Sequence, residues 1–188
     1  MTNKFDDVDK YELHLKCLFE YGVNISERVI NLNGDVTEAM FKDMDIQLTE
    51  MESQSKKAVT VRINSSGGNV YDGLAIAGRL RFSKCQIITQ VFGQAMSAAC
   101  LIFAAGNRRQ ASKFAFVMHH EISGGVDGRL SEMKTELEHM NSIERFWAAW
   151  MAEFTKKNRK FWLEEGRYTD AYWDASALVE LGVADEVI

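Results

Sequence analysis

The chain has 188 residues, 46% apolar and 26% charged, proportions that suit one globular domain with a sizeable core. Its formal net charge of −5 comes without a long basic run, which argues against a nucleic-acid surface. Cys17, Cys85 and Cys100 show neither CxxC nor zinc spacing, which argues against a disulfide framework and for a reducing compartment.

Residues 1–27 are charged and mixed, with Leu13, Leu15, Leu18 and Phe19 as their apolar cluster, and read as an N-terminal arm. No basic-flanked apolar leader begins the chain, and no stretch approaches the roughly 20 apolar residues that span a bilayer. A cytoplasmic protein without a membrane partner is therefore expected. Arg28–Leu32 reads as a strand, and Asn33-Gly34-Asp35 as the turn into a helix, with Asp35 and Glu38 at capping-box spacing. Met40, Met44, Leu48 and Met51 give that helix one apolar face. Ala58–Ile63 alternates as a second strand and runs into Asn64-Ser65-Ser66-Gly67-Gly68. A helix over 70–82 follows, with Val70, Leu74, Ala77 and Leu80 facing inward.

Gln86–Phe92 has the β-branched and aromatic content of a buried strand. After the junction Gly93–Ala99, residues Ala98–Ala105 are apolar on every side and stop at Gly106, which predicts a buried helix closed by a glycine. Lys113–His119 reads as another strand. This alternation predicts an α/β fold with a parallel sheet and helical crossovers. Beyond Gly124-Gly125, the apolar series Leu130, Met133, Leu137, Met140, Ile143, Trp147, Trp150 and Phe154 predicts a long helix over 130–154. Its stripe either packs on its own domain or meets a second subunit. Tyr172–Ile188 reads as a short helix, a turn at Gly182 and a terminal strand. With no proline in the chain, turns fall to its 13 glycines with Asn, Asp and Ser.

Three features carry chemistry: Ser97 at a helix start, Gly67-Gly68 after a strand, and His119-His120-Glu121 at the end of another. Strand ends and helix starts of a parallel sheet gather at one edge, where ligand sites form. A serine at a helix start either caps the helix or projects into a cleft beside free N–H groups. Adjacent histidines on a strand point to opposite faces, and HExxH is absent, so no metal site is expected. GxGxxG and GxxxxGK[ST] are absent too, so no nucleotide cofactor is expected. What remains is an oxyanion hole beside a serine, with a histidine base and a carboxylate that spacing alone leaves open among 27 acidic residues.

The strings RVINLNGDV, VRINSSGGNVYDGLAIAGRLR, GQAMSAACLIFAAGNRR, FVMHHEISGGVDG and DAYWDASALVELGVADEVI, in this order, resemble the ClpP family of serine peptidases over nearly all of residues 28–188. The resemblance implies a ClpP/crotonase-like fold of repeated strand–helix units with a protruding strand–helix handle. It makes 1–27 an arm and 28–188 the peptidase domain. Position by position, it implies Ser97 as nucleophile, His119 as general base and acid, and Asp170 as the carboxylate that orients the imidazole. The N–H groups of Gly68 and Ala98 would bind the oxyanion. Gly67, Asn69 and Val70 on one side, and Ile122, Ser123, Gly124, Gly125 and Val126 on the other, would hold an extended peptide by backbone pairing.

By the same resemblance, the chain is a serine endopeptidase that cleaves unfolded polypeptides inside a homo-oligomeric, heptameric ring. An ATP-dependent unfoldase partner would carry the ATP. A phage-type protease that matures proheads or capsids and a non-catalytic ring subunit are the alternatives. Some positions depart from the family pattern. Ser66 stands where proline is frequent, His120-Glu121 where Gln-Pro is frequent, and the chain is shorter between Gly106 and His119. Thr169 and Ala171 flank Asp170 where many two-ring members carry an arginine, which leaves stacking of two rings open.

Overall fold

The computed structural model describes residues 27–188; the arm read over 1–27 lies outside them apart from its last residue. Strand β1 (Val29–Val36) is longer than expected, because pairing with the next strand continues through Asp35↔Gly67 and Val36↔Gly68 after an irregularity between Asn33 and Asp35. The ladder overrides the turn signal of Asn33-Gly34, and Gly34 absorbs the break at φ 83. Helix α1 (Glu38–Gln54) is therefore capped by Thr37, whose hydroxyl accepts from Met40 N at 3.3 Å. Asp35, expected as the cap, instead accepts from Ser66 Oγ at 3.1 Å. Met44, Leu48 and Met51 are buried on the face their spacing predicts.

Strand β2 (Val59–Gly68) runs through the whole Asn64–Gly68 segment, and α2 (Val70–Arg81) follows after Asn69, whose side chain accepts from Tyr71 N and Asp72 N. Strand β3 (Ile87–Met96) leads through Ser97 into α3 (Ala98–Ala104), all seven of whose residues are buried. Gly106 does not cap this helix in the left-handed region, since the helix ends at Ala105 with φ −73. A side chain at Gly106 would collide with Thr89, so close approach explains the glycine.

Strands β4 (Arg108–Ala111) and β5 (Phe116–His119) both pair in parallel with β3, at successive stretches: Ile88–Val91 meets β4 and Gln94–Met96 meets β5. The sheet order is β1-β2-β3-β4-β7, with β7 at Glu186–Val187 and every neighbour on that path parallel. Strand β6 (Ala171–Asp174) pairs antiparallel with β5 and sets Ala171 opposite His119.

Helix α4 (Leu130–Phe154) divides its apolar stripe. Ile143, Trp147, Ala148 and Met151 are buried, whereas Leu130 and Leu137 are 83% and 51% exposed. Its C-terminal half thus packs on its own domain, and its N-terminal half stands clear. Residues 120–129, ahead of this helix, carry no strand pairing; Glu121 N donates to Gly166 O and Ile122 N to Glu144. A handle strand at this place has no pairing partner among the described residues. Helix α5 (Arg159–Glu164) supplies the fully buried Trp162, and α6 (Ala175–Leu181) ends at Gly182 in the left-handed conformation, as expected of that glycine.

Candidate active site

The β3–α3 junction is built around one strained residue. Ser97 has φ 52 and ψ −123, and its side chain makes no cap hydrogen bond to α3. The reading of Ser97 as a helix cap is thereby overturned. A non-glycine residue in this region costs about 1–3 kcal/mol, a cost that surrounding structure must sustain. Two contacts do so. Ser97 N donates to Met118 O of β5 at 2.9 Å, and Gly67 lies so close that a Cβ there would sit 2.6 Å from Met96 O and 2.8 Å from Ser97 Cβ. Gly67 itself has φ 94, so both space and backbone require glycine.

Ser97 and His119 line one cavity of about 470 Å³, together with Gly68, Ala98, Asn69 and Val70. Ile122 and Ser123 line it as well. Gly67 supports the site from beneath Ser97, and Gly124 packs toward Met140. Gly125 and Val126 continue the unpaired segment and, like Asp170, are not among the residues that line the cavity.

His119 ends β5 and is only 2% exposed. Its ring stacks on the Trp147 indole and meets the edge of Trp162, with Gly166 packed so tightly that a Cβ there would lie 2.9 Å from His119 Cδ2. Burial, reinforced by the neighbouring His120, lowers its pKa from 6.5 to about 3, against the opposing pull of backbone hydrogen bonds at Trp162 and Glu165. Nε2 is buried without a hydrogen-bond partner, so it is not bonded to Ser97. The Asp170 carboxylate accepts from the Tyr172 hydroxyl at 3.3 Å. The structure therefore brings serine and histidine to one cavity but leaves the three side chains unlinked.

Several cavity residues escaped the sequence reading: Ser66, Tyr71, Leu101, Glu144 and Trp147. Trp147 reads as one member of an apolar stripe, and the sequence reading assigns nothing to Glu144. Their separation of three residues puts them side by side on α4, and that was the available signal. Tyr71 closes the rim by bonding His139 Nε2 through its hydroxyl at 2.7 Å, tying α2 to α4. Among the described residues no group of His, Cys, Asp and Glu is arranged to hold a metal ion, and no helix is long and apolar enough to cross a membrane.

The chain is similar to the ATP-dependent Clp protease proteolytic subunit of Carsonella ruddii, 28% identical over 172 residues that cover 89% of this chain and 87% of that protein. It is also similar to the ATP-dependent Clp protease proteolytic subunit 2 of Chlamydia pneumoniae, 27% identical over 171 residues, or 89% and 84% of the two chains. The family model described as Clp protease matches residues 16–188. A match of that extent takes in the strained serine turn, the buried histidine strand and the terminal helix in one continuous span, and the chain belongs to the Clp protease family.

Proposed function

We propose that this chain is a serine endopeptidase acting on extended polypeptide, with Ser97 as nucleophile, His119 as general base and acid, and Asp170 as the carboxylate that orients the imidazole. The observation that carries this reading is Ser97: it sits in a strained backbone conformation, without a capping role, on the wall of the cavity that also holds His119. Strain of this kind collects at functional positions. In the reaction, Ser97 Oγ gives its proton to His119 Nε2 and bonds to the peptide carbonyl carbon. The N–H groups of Gly68 and Ala98 receive the oxyanion. His119 then returns the proton to the leaving amine, and water, deprotonated by His119, releases the acyl group from Ser97.

Extended substrate fits the two edges of the cavity. Strand β2 ends at Gly68 beside Asn69 and Val70, and residues 122–126 carry no strand pairing, so a peptide laid between them finds backbone partners. The reading includes assembly of copies into a ring and feeding by an ATP-dependent partner in a cytoplasmic setting. Exposed aromatics support assembly: Phe82 is 84% and Phe114 73% exposed, with Phe92 and Phe116 half exposed. The relatives' names carry the words "ATP-dependent", and this chain has neither phosphate-binding motif of its own.

Ser97→Ala tests the reading. It is expected to abolish both hydrolysis of fluorogenic peptides and labelling by a fluorophosphonate, and activity that survives the substitution overturns it.

A further inference from the structure

The cavity wall contains a carboxylate that forms no ion pair among the described residues. Glu144 lies midway along α4, is partly buried and lines the same cavity as Ser97. Its Oε2 accepts from Ile122 N at 3.0 Å, and the ion pairs among the described residues do not include it. Two other carboxylates set into the fold are matched by arginine: Glu52 by Arg79 and Asp185 by Arg109. Those two have lowered pKa values, whereas burial raises that of Glu144, with Glu121 adding repulsion and the Ile122 N–H and His120 only partly offsetting it. A partly desolvated carboxylate without a cation is unfavourable, unless the cation arrives with a ligand.

The rest of the wall suits the stem of such a ligand. Leu101, Ile122, Val70 and Trp147 are apolar neighbours in the same cavity, the surroundings in which the methylenes of a long basic side chain settle while its head reaches an anion. Resting on the reading of Ser97 as nucleophile, we propose that Glu144 is a specificity-determining residue that selects lysine or arginine on the acyl side of the bond cleaved. The assignment explains why a charged residue occupies the face of α4 that carries the buried Ile143 and Trp147.

The test compares two peptidyl diphenyl phosphonates that differ only in the acyl-side residue, lysine against norleucine, which matches its methylene chain without the amine. The rate of Ser97 labelling is read by mass spectrometry. Wild type is expected to react with the lysine probe on the order of tenfold faster, the size of one partly desolvated charge contact. Glu144→Gln keeps an acceptor for Ile122 N and is expected to bring the two rates together, while Glu144→Asp, which keeps the charge, retains the preference. Equal rates in wild type, faster labelling by norleucine, or a ratio unchanged in Glu144→Gln overturns the assignment and leaves the nucleophile standing. The wild-type ratio decides even where a variant folds poorly. No labelling by either probe or by a simple fluorophosphonate overturns the nucleophile itself, and this inference with it.

Discussion

The His119 imidazole lies flat on the Trp147 indole, 3.8 Å between ring centroids and 11° from parallel. The ring is buried, and its Nε2 has no hydrogen-bond partner among the described residues. A base with a pKa of about 3 is far from the range in which an imidazole exchanges protons efficiently near neutral pH. In the role proposed for it, His119 has to turn Nε2 toward Ser97, since the two are not hydrogen-bonded here.

The same burial predicts an acid-sensitive fold. The folded pKa of His119 lies below its ordinary value of 6.5, at about 3. Below pH 6.5 the unfolded chain takes up a proton that the folded chain refuses. Its neutral burial is thus without penalty above pH 6.5, and stability falls as the pH drops from there toward 3. At pH 4.5 the loss from this one group is about 2–3 kcal/mol. Urea unfolding of wild type and His119→Asn at pH 7 and pH 4.5 checks it: the loss between the two pH values is expected to be smaller in the variant by that amount.

Ser97 predicts an inverse relation between stability and function. At φ 52 and ψ −123, a glycine escapes the Cβ strain that alanine retains. Ser97→Gly is expected to be more stable than Ser97→Ala by about 1 kcal/mol, after the greater unfolded-state entropy of glycine is subtracted from the strain released. Both variants are expected to lack activity. Equilibrium denaturation of the pair measures the difference, and equal stabilities would remove the claim of strain.

Much of this fold is legible in the chain because periodicity reports local surroundings. Met44, Leu48 and Met51 mark the inner face of α1, the run Ala98–Ala104 marks a helix buried on all sides, and Gly182 marks the end of α6. Strand lengths are less legible. Asn64–Gly68 and Gly93–Met96 have the composition of turns, yet both pair in the sheet across local irregularities, and ladder partners distant in sequence decide that. The positions of Ser97, Gly68 and Ala98 around one cavity follow from motifs at strand ends and helix starts. Trp147 on His119 and Tyr172 on Asp170 do not, because a stripe residue that will cover a histidine has the same spacing as one that fills a core.

The contact between α1 and α2 supplies a separate prediction. Arg79 donates from Nη1 and Nη2 to Glu52 at 3.1 and 3.0 Å and from Nε to Asp45 at 2.6 Å, while Ser83 Oγ and Lys84 N also donate to Glu52. The Arg79 hydrogen bonds, against the cost of burial, lower the Glu52 pKa from 4.5 to about 2. Its contribution is complete above pH 4.5 and is lost as the pH falls through 2. With allowance for solvent screening, Glu52→Gln is expected to cost about 1–2 kcal/mol at pH 7. Thermal melts across the acid range are expected to show the wild-type and variant curves converging toward pH 2.

Asp170 supplies the last prediction, because its present partner competes with its proposed one. The β5–β6 register sets Ala171 opposite His119, so Asp170 lies one residue beyond the histidine along the antiparallel pair. Its carboxylate accepts from Tyr172 at 3.3 Å at an exposed position, a bond worth about 1 kcal/mol or less. Exchanging that bond for one to the His119 ring is therefore inexpensive. Tyr172→Phe removes the competing donor and is expected to leave kcat on a peptide substrate unchanged or to raise it up to about fivefold. Asp170→Asn keeps the shape but not the charge, and is expected to lower kcat by about 100-fold or more with little change in KM, since in its proposed role this residue acts through the imidazole and does not touch substrate. Steady-state kinetics of the two variants separate the roles. A loss of less than about tenfold in Asp170→Asn assigns the orientation of His119 to another group.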